Sequence, residues 1–433
     1  MRDAETLSPQ RMRDGRTVGF EAERLLAPDA AVALYLTRVR PQPVGVEGVA
    51  LAEAAGRILA AEARADDDVP AHDRSTMDGF ALRSAEARPG ARLRIAGAIA
   101  MGAPPPRALG PGEAFRIPTG GALPEGADAV VPLEDVVESD DTILLSEALD
   151  AGDAVAPRAG DIQRGECVLA AGRRLGGPEL GVLATLGIVQ VPVFRRPRIA
   201  VISTGDELVG PALRPAVGQV RDSNRYALGA ALEALGASPV HFPSARDDAA
   251  ALRAALEPAL AGCDALLLTG GTSVGGRDLV PAAVAELGAP GVVVHGLRVK
   301  PGKPTLLAAV GRKPVLGLPG NPTSSLAILE AVLRPIVAAL TGERDAEPLR
   351  IPARAAAPFE GRAGWTWFVP AALRVRPAGF EAVPLAIRSS HTSLLARAAG
   401  YVVVGPERWQ IPSGAPLELV RFSGGGAPPE REP

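Results

Sequence analysis

Lysine is almost missing from this chain of 433 residues: of its 46 basic residues only Lys300, Lys303 and Lys313 are lysine, the rest being arginine. Asparagine occurs only at Asn224 and Asn321, cysteine only at Cys167 and Cys263, and histidine only at His72, His241, His295 and His391. Each shortage excludes something. Two distant cysteines without partners at metal-ligand spacing are expected to be buried free thiols, as in a reducing cytosol. Four scattered histidines do not make a His-rich zinc site. A net charge of −3 leaves no basic surface suited to a phosphate backbone, so no nucleic-acid partner is expected. No apolar run approaches the length of a membrane span and no signal-peptide core follows Met1, so no membrane partner is expected and the expected location is cytoplasmic. Aromatics reach only 3% against 47% hydrophobic residues. Cores must then be built from Ala, Val and Leu, which suits helices packed closely on sheets.

What is present concentrates between Arg298 and Pro322. Two of the three lysines fall in one K-P-G-K-P loop, residues 300–304, and Asn321 lies in the P-G-N-P turn at 319–322. Lysine is a compact point charge with rotatable donors, whereas arginine is a planar fork, so a site for a small tetrahedral oxyanion can prefer lysine. The bland alternative is a Pro-rich surface turn carrying two solvated ammoniums.

Length suggests about three domains. Residues 1–28 read as a loose arm. The pattern predicts a helix over 30–39, a strand over 44–51, a helix over 52–61 and a helix then strand over 177–194. The Gly- and Pro-rich stretch between has short alternating runs, which points to a β domain (66–154) inserted into a split, elongated helical domain (29–65 and 155–194). From 195 to 345 strands and helices alternate: strands at 198–203, 239–242, 264–269, 291–299, 305–310 and 314–318, and helices at 224–235, 247–260, 278–287 and 322–340. Such units imply a doubly wound, mostly parallel sheet with ligands outside the carboxyl ends of its strands. Short β-like runs over 346–422 suggest a terminal β domain, and 423–433 reads as a disordered tail.

Three strands run into unusual loops: S-T-G-D-E at 203–207, T-G-G-T-S-V-G at 269–275 and the lysine loop. Glycines there let backbone N–H groups approach an anion. Glu207, Asp222, Asp247 and Asp278 are carboxylates near the crevice, and two or three hard oxygen ligands beside phosphate oxygens make a plausible Mg²⁺ site. Helix capping is the competing role for Asp247 and Asp278. Two polar loops lie upstream, at 70–80 and 116–128. By themselves they read as turns, and His72 as an incidental loop histidine.

Together DRSTMDGFA at 73–81, RIPTGGALPEGADAVV at 116–131, STGDEL at 203–208, TGGTSVG at 269–275, KPGKP at 300–304 and LPGNP at 318–322 resemble the molybdopterin molybdenumtransferase family, which includes the gephyrin E domain. The resemblance spans roughly residues 30–422. It implies a split elongated domain, an inserted β domain, a molybdopterin-binding α/β domain and a C-terminal β-barrel. It implies a homodimer with active sites shared between subunits, and insertion of molybdate into adenylylated molybdopterin with Mg²⁺ and release of AMP. On that resemblance Glu207, Asp247 and Asp278 serve the metal. Asp222, Gly270, Gly271, Thr272 and Ser273 hold the nucleotide-pterin, with Pro319 and Pro322 shaping the pocket. Lys300 and Lys303 hold molybdate or phosphate, and Asp73 and Thr119 come from the partner subunit. A molybdopterin adenylyltransferase is a candidate partner.

The chain departs from the family pattern in places. Phe368-Val369-Pro370 stands where an F-x-R element is expected, and the 158–161 region has fewer basic residues. Arg388 is a candidate replacement charge, and either Ser389 or Ser390 matches a family serine. A non-catalytic molybdopterin-binding or scaffold paralogue is therefore the alternative. A nicotinamide-nucleotide amidohydrolase, which shares a G-D-E-L segment, is opposed by the lysine loop and by the 116–131 motif.

Overall fold

The computed structural model describes residues 25–272, 279–385 and 392–431. Its centre is a six-stranded sheet in the order Ser238–His241, Arg198–Ser203, Ala265–Thr269, Lys313–Leu318, Leu306–Val310, Pro290–His295. The first four strands run parallel; the last two are joined antiparallel. Strand side chains alternate between faces, and both faces are covered. Ile199, Val201, Leu267 and Leu316 enter one apolar cluster, while Ala200, Ile202, Leu266, Leu268 and Val315 enter another. This two-sided burial explains why the strands read as unbroken apolar runs.

Helices Asn224–Ala234 and Pro28–Val39 contribute to the first cluster, and Ala249–Gly262 and Leu279–Leu287 to the second. Helix Pro28–Val39 buries Ala31, Val32, Tyr35 and Val39 there, and the Tyr35 hydroxyl donates to Ala308 O at 2.9 Å. It thus packs with the α/β layer rather than with the split domain to which its sequence position assigns it. The 20-residue helix Pro322–Thr341 is long and apolar enough to pass for a membrane span by length and composition alone, but 72% of its apolar 18-residue window is buried inside the protein, as in a core helix. Its middle, Leu329–Leu333, is a π-helical segment.

The helix expected over 52–61 does not form. After one 3₁₀ turn at Leu51–Glu53, the backbone donors are taken by distant partners: Gly56 N by Leu175 O, Leu59 N by Arg173 O and Ala60 N by Pro192 O. Tertiary pairing overrides the local propensity. Around it, Val46–Ala50 pairs with Gln190–Phe194, and Leu59, Leu175, Leu183, Val191 and Val193 form a small core. The inserted domain is a six-stranded sheet with Gly79–Leu82 beside Glu113–Ile117. In the C-terminal domain the sheet closes on itself where Thr366–Arg376 pairs with Gly400–Val404.

Two further expectations are corrected. Cys167 is exposed, and only Cys263 is buried. Residues 423–431 are not a disordered tail. Ser423 N donates to Glu330 Oε1 at 3.1 Å and its hydroxyl to Oε2 at 2.7 Å, Ala427 N donates to Ala398 O at 2.9 Å, and Glu430–Arg431 pairs with the barrel. Composition favoured disorder, but specific backbone partners decide the outcome.

Candidate active site

The three loops at the carboxyl ends of the central strands leave the sheet in one row, because Ser203 lies opposite Thr269 and Thr269 opposite Leu318. They are tied together. Thr204 donates to Thr269 O through its N–H at 2.8 Å and its hydroxyl at 3.2 Å. Gly270 N and Thr272 Oγ1 both donate to Leu318 O, at 3.1 and 3.2 Å. Gly270 has φ +89°, and a Cβ there would stand 2.5 Å from Thr204 O, so only glycine allows this approach. Pro319 is buried, and Pro322 opens the helix that follows.

The lysine loop sits at the same end of the sheet, since its flanking residues His295 and Leu306 pair with each other and Leu306 with Gly317. His295 Nε2 lies 3.1 Å from Thr272 O, joining this loop to the glycine loop. Nor is it a solvated turn. Pro301 and Gly302 are buried, Thr305 donates to Gly302 O from both N and Oγ1, and the Lys300–Pro301 peptide is cis. Gly302 has φ +111°, and a Cβ on it would fall 2.2 Å from Ile328 Cδ1. Lys300 remains exposed and Lys303 half-buried.

The expected carboxylates behave differently from one another. Glu207 and Asp247 are exposed. Asp206, part of the S-T-G-D-E loop but not among the expected carboxylates, accepts from Asp247 N and Arg246 Nε at 3.4 Å each. Asp247 is not the cap of the next helix; Asp248 is, accepting from Ala251 N at 2.7 Å. Asp222 is buried and accepts from Arg225 N at 3.2 Å, so it serves the start of helix Asn224–Ala234. Among the described residues no group of three or more His, Cys, Asp or Glu comes together as a metal centre. Asp278 and Ser273 lie outside the described residues, as do Arg388, Ser389 and Ser390.

The two upstream loops, which look like separate turns in the sequence, are brought together. Ser75 N donates to Gly121 O, Gly120 N to Ser75 O and Leu123 N to Asp73 O. Asp73 Oδ1 accepts from Arg158 N at 2.7 Å. Asp78, which sequence reasoning passed over, accepts from both N and Oγ1 of Thr119 at 2.7 and 3.0 Å, and these bonds hold its carboxyl below the usual aspartate range. Pro370, in place of the expected arginine, stands in strand Thr366–Arg376 opposite Tyr401.

A mostly parallel sheet with glycine, lysine and proline loops at the ends of its strands, an inserted β domain and a closed terminal barrel form the multidomain architecture that the resemblance to the molybdopterin molybdenumtransferases implies. Comparison agrees: residues 26–187 match the MoeA N-terminal region (domain I and II), and residues 200–339 match a probable molybdopterin binding domain. A molybdopterin molybdenumtransferase of Nostoc sp. is 37% identical over 306 residues, 68% of this chain and 70% of the relative. One of Bacillus subtilis is 32% identical over 370 residues, 83% of this chain and 85% of the relative. The crystal structure of a molybdopterin biosynthesis MoeA protein from Pyrococcus horikoshii superimposes with a TM-score of 0.76 at 33% identity, covering 92% of this chain and 99% of that one. The chain belongs to the molybdopterin molybdenumtransferase family.

Proposed function

We propose that this protein is a molybdopterin molybdenumtransferase that inserts molybdenum from molybdate into adenylylated molybdopterin and releases AMP. The observation that carries this reading is the lysine loop: packed against Ile328 and tied through His295 to the glycine loop, it presents ammoniums at the strand ends rather than as a loose surface turn. Two anions must meet in this reaction, and fixed cations offset their repulsion while the loops orient them. Lys300 and Lys303 hold the oxyanion; Gly270, Gly271 and Thr272, with Pro319 and Pro322, form the wall against the nucleotide-pterin. Molybdenum reaches the dithiolene as the phosphoanhydride is cleaved and AMP leaves.

Glu207 and Asp247 offer exposed hard oxygens of the kind Mg²⁺ takes while keeping several waters. They would hold that ion together with Asp278, and the ion would neutralise phosphate charge. Asp73 and Thr119, joined by the paired upstream loops, complete the site from the second subunit of a homodimer. A cytoplasmic location and docking of a molybdopterin adenylyltransferase fit the same reading.

The test is AMP release from adenylylated molybdopterin by purified protein with Mg²⁺, with and without molybdate. Molybdate-dependent AMP release with formation of the molybdenum cofactor supports the transferase. Tight binding without turnover, under conditions in which a competent relative turns over, would replace it with the scaffold reading, which Pro370 at the expected arginine position favours.

A further inference from the structure

The lysine loop belongs partly to the barrel. Strand Val299–Lys300 pairs in parallel with the barrel strand Thr366–Arg376, with Val299 opposite Thr366 and Lys300 opposite Trp367. Thr366 N also donates to Arg298 O at 3.2 Å, which fixes the start of this pairing. Above it, Lys300 Nζ lies over the Trp367 ring, 4.3 Å from its centroid. The chain has only three tryptophans, so the placement calls for a physical reason.

An aromatic face attracts an ammonium through its quadrupole and leaves the positive charge in place. A carboxylate in the same position would cancel the charge that an oxyanion site needs. The ammonium has three N–H donors, and the ring face engages one side of it, so the others stay available to an anion. The indole Nε1 is buried and has no hydrogen-bond partner among the described residues. An unmade buried bond is a cost that phenylalanine would avoid, so the N–H is not what this position uses. The broad π-face is, and tryptophan offers the best one.

We propose that Trp367 is a positioning residue for Lys300. It holds the ammonium aimed at the oxyanion substrate, and it makes the C-terminal barrel part of the molybdate site. This rests on the transferase reading above. Strand pairing holds the backbone of the loop, and the ring holds its charged tip, so the barrel sets the position of both.

The experiment compares full-length W367F and W367L with wild type in molybdate-dependent AMP release. KM is measured separately for molybdate and for adenylylated molybdopterin, and tungstate binding is followed by calorimetry as a readout without turnover. W367L should raise the molybdate KM by roughly 3- to 30-fold, the range expected from a lost cation–π contact, and leave the KM for adenylylated molybdopterin unchanged. W367F should stay within about threefold of wild type. In the K300A background W367L should have no further effect on molybdate affinity, because the two residues act as one unit. An unchanged molybdate KM in W367L, or equal losses in both KM values, overturns the proposal, as does a W367F variant as impaired as W367L. If wild type itself shows no molybdate-dependent AMP release, the transferase reading fails. Tungstate affinity of wild type against W367L then still decides whether Trp367 positions an oxyanion-binding lysine.

Discussion

Asn224 Nδ2 donates to the carbonyl of Gly320 at 2.7 Å, and Asn224 Oδ1 accepts from Ser325 Oγ at 3.3 Å. One amide thus fastens helix Asn224–Ala234 to the P-G-N-P turn that holds Asn321, and the chain's two asparagines meet at one place. Neither aspartate nor glutamine reproduces this donor and acceptor at the same reach.

Replacing Asn224 therefore tests the joint. N224A removes the donor to the exposed Gly320 carbonyl while the Ser325 hydroxyl keeps Asn321 O at 2.9 Å, and should cost about 0.5–1.5 kcal/mol in urea denaturation. N224D should be worse, because a carboxylate would face the Gly320 oxygen. An N224A variant as stable as wild type would show that the donated hydrogen bond contributes nothing.

Asp78 should matter through Thr119. D78A removes the acceptor for both Thr119 bonds and should lower kcat/KM on the order of tenfold, toward the value for T119A, while D78N keeps an acceptor oxygen and should retain most activity. Because its bonds hold the Asp78 carboxyl below the ordinary range, protonation of this group should not reduce the rate until the pH is under about 3.9. Equal activities for D78A and D78N would sink this role.

Acid should loosen the inserted domain. The Arg107 side chain, joined by Gly110 N and the Arg94 charge, brings the Glu113 carboxyl down to about 2. A depressed carboxylate contributes stability above its unfolded value, about 4.3, and loses it as the pH falls through its folded value. Denaturation midpoints between pH 5 and 2 should therefore fall more steeply for wild type than for E113Q; parallel slopes would contradict this.

Deleting residues after Phe422 should destabilise the protein, although the composition of this segment suggests a dispensable tail. Glu330 is buried, its side chain paired with Arg334 at 2.6 Å and with Ser423. Losing hydrogen bonds to a buried charge should cost about 1.5–3 kcal/mol, and S423A should reproduce part of it. A truncated chain with an unchanged melting temperature would return the segment to a spectator.

Local features were legible where local chemistry decides them. The strands of the central sheet announce themselves through apolar runs buried on both faces, and the lysine loop through residues the chain otherwise avoids. Asp247 and Asp248 were not separable, because capping turns on backbone geometry finer than one residue. Asn224 stood out by rarity, but its partner is a carbonyl 96 residues away. Trp367 carried only the signal of rarity, as one of three tryptophans: its meaning arises when strand pairing sets it opposite Lys300.

The π-helical turn at Leu329–Leu333 gives the long helix two independent alignments. Five residues per hydrogen-bonded ring instead of four shift the phase of everything beyond it by about 100°. Before the shift, Ile328 meets the lysine loop at Gly302; at and after it, Glu330 and Arg334 meet Ser423 beside the barrel. A regular α-helix would have to compromise between these two faces. The inserted residue works as a splice, letting one rod index the lysine loop and the terminal segment on different faces.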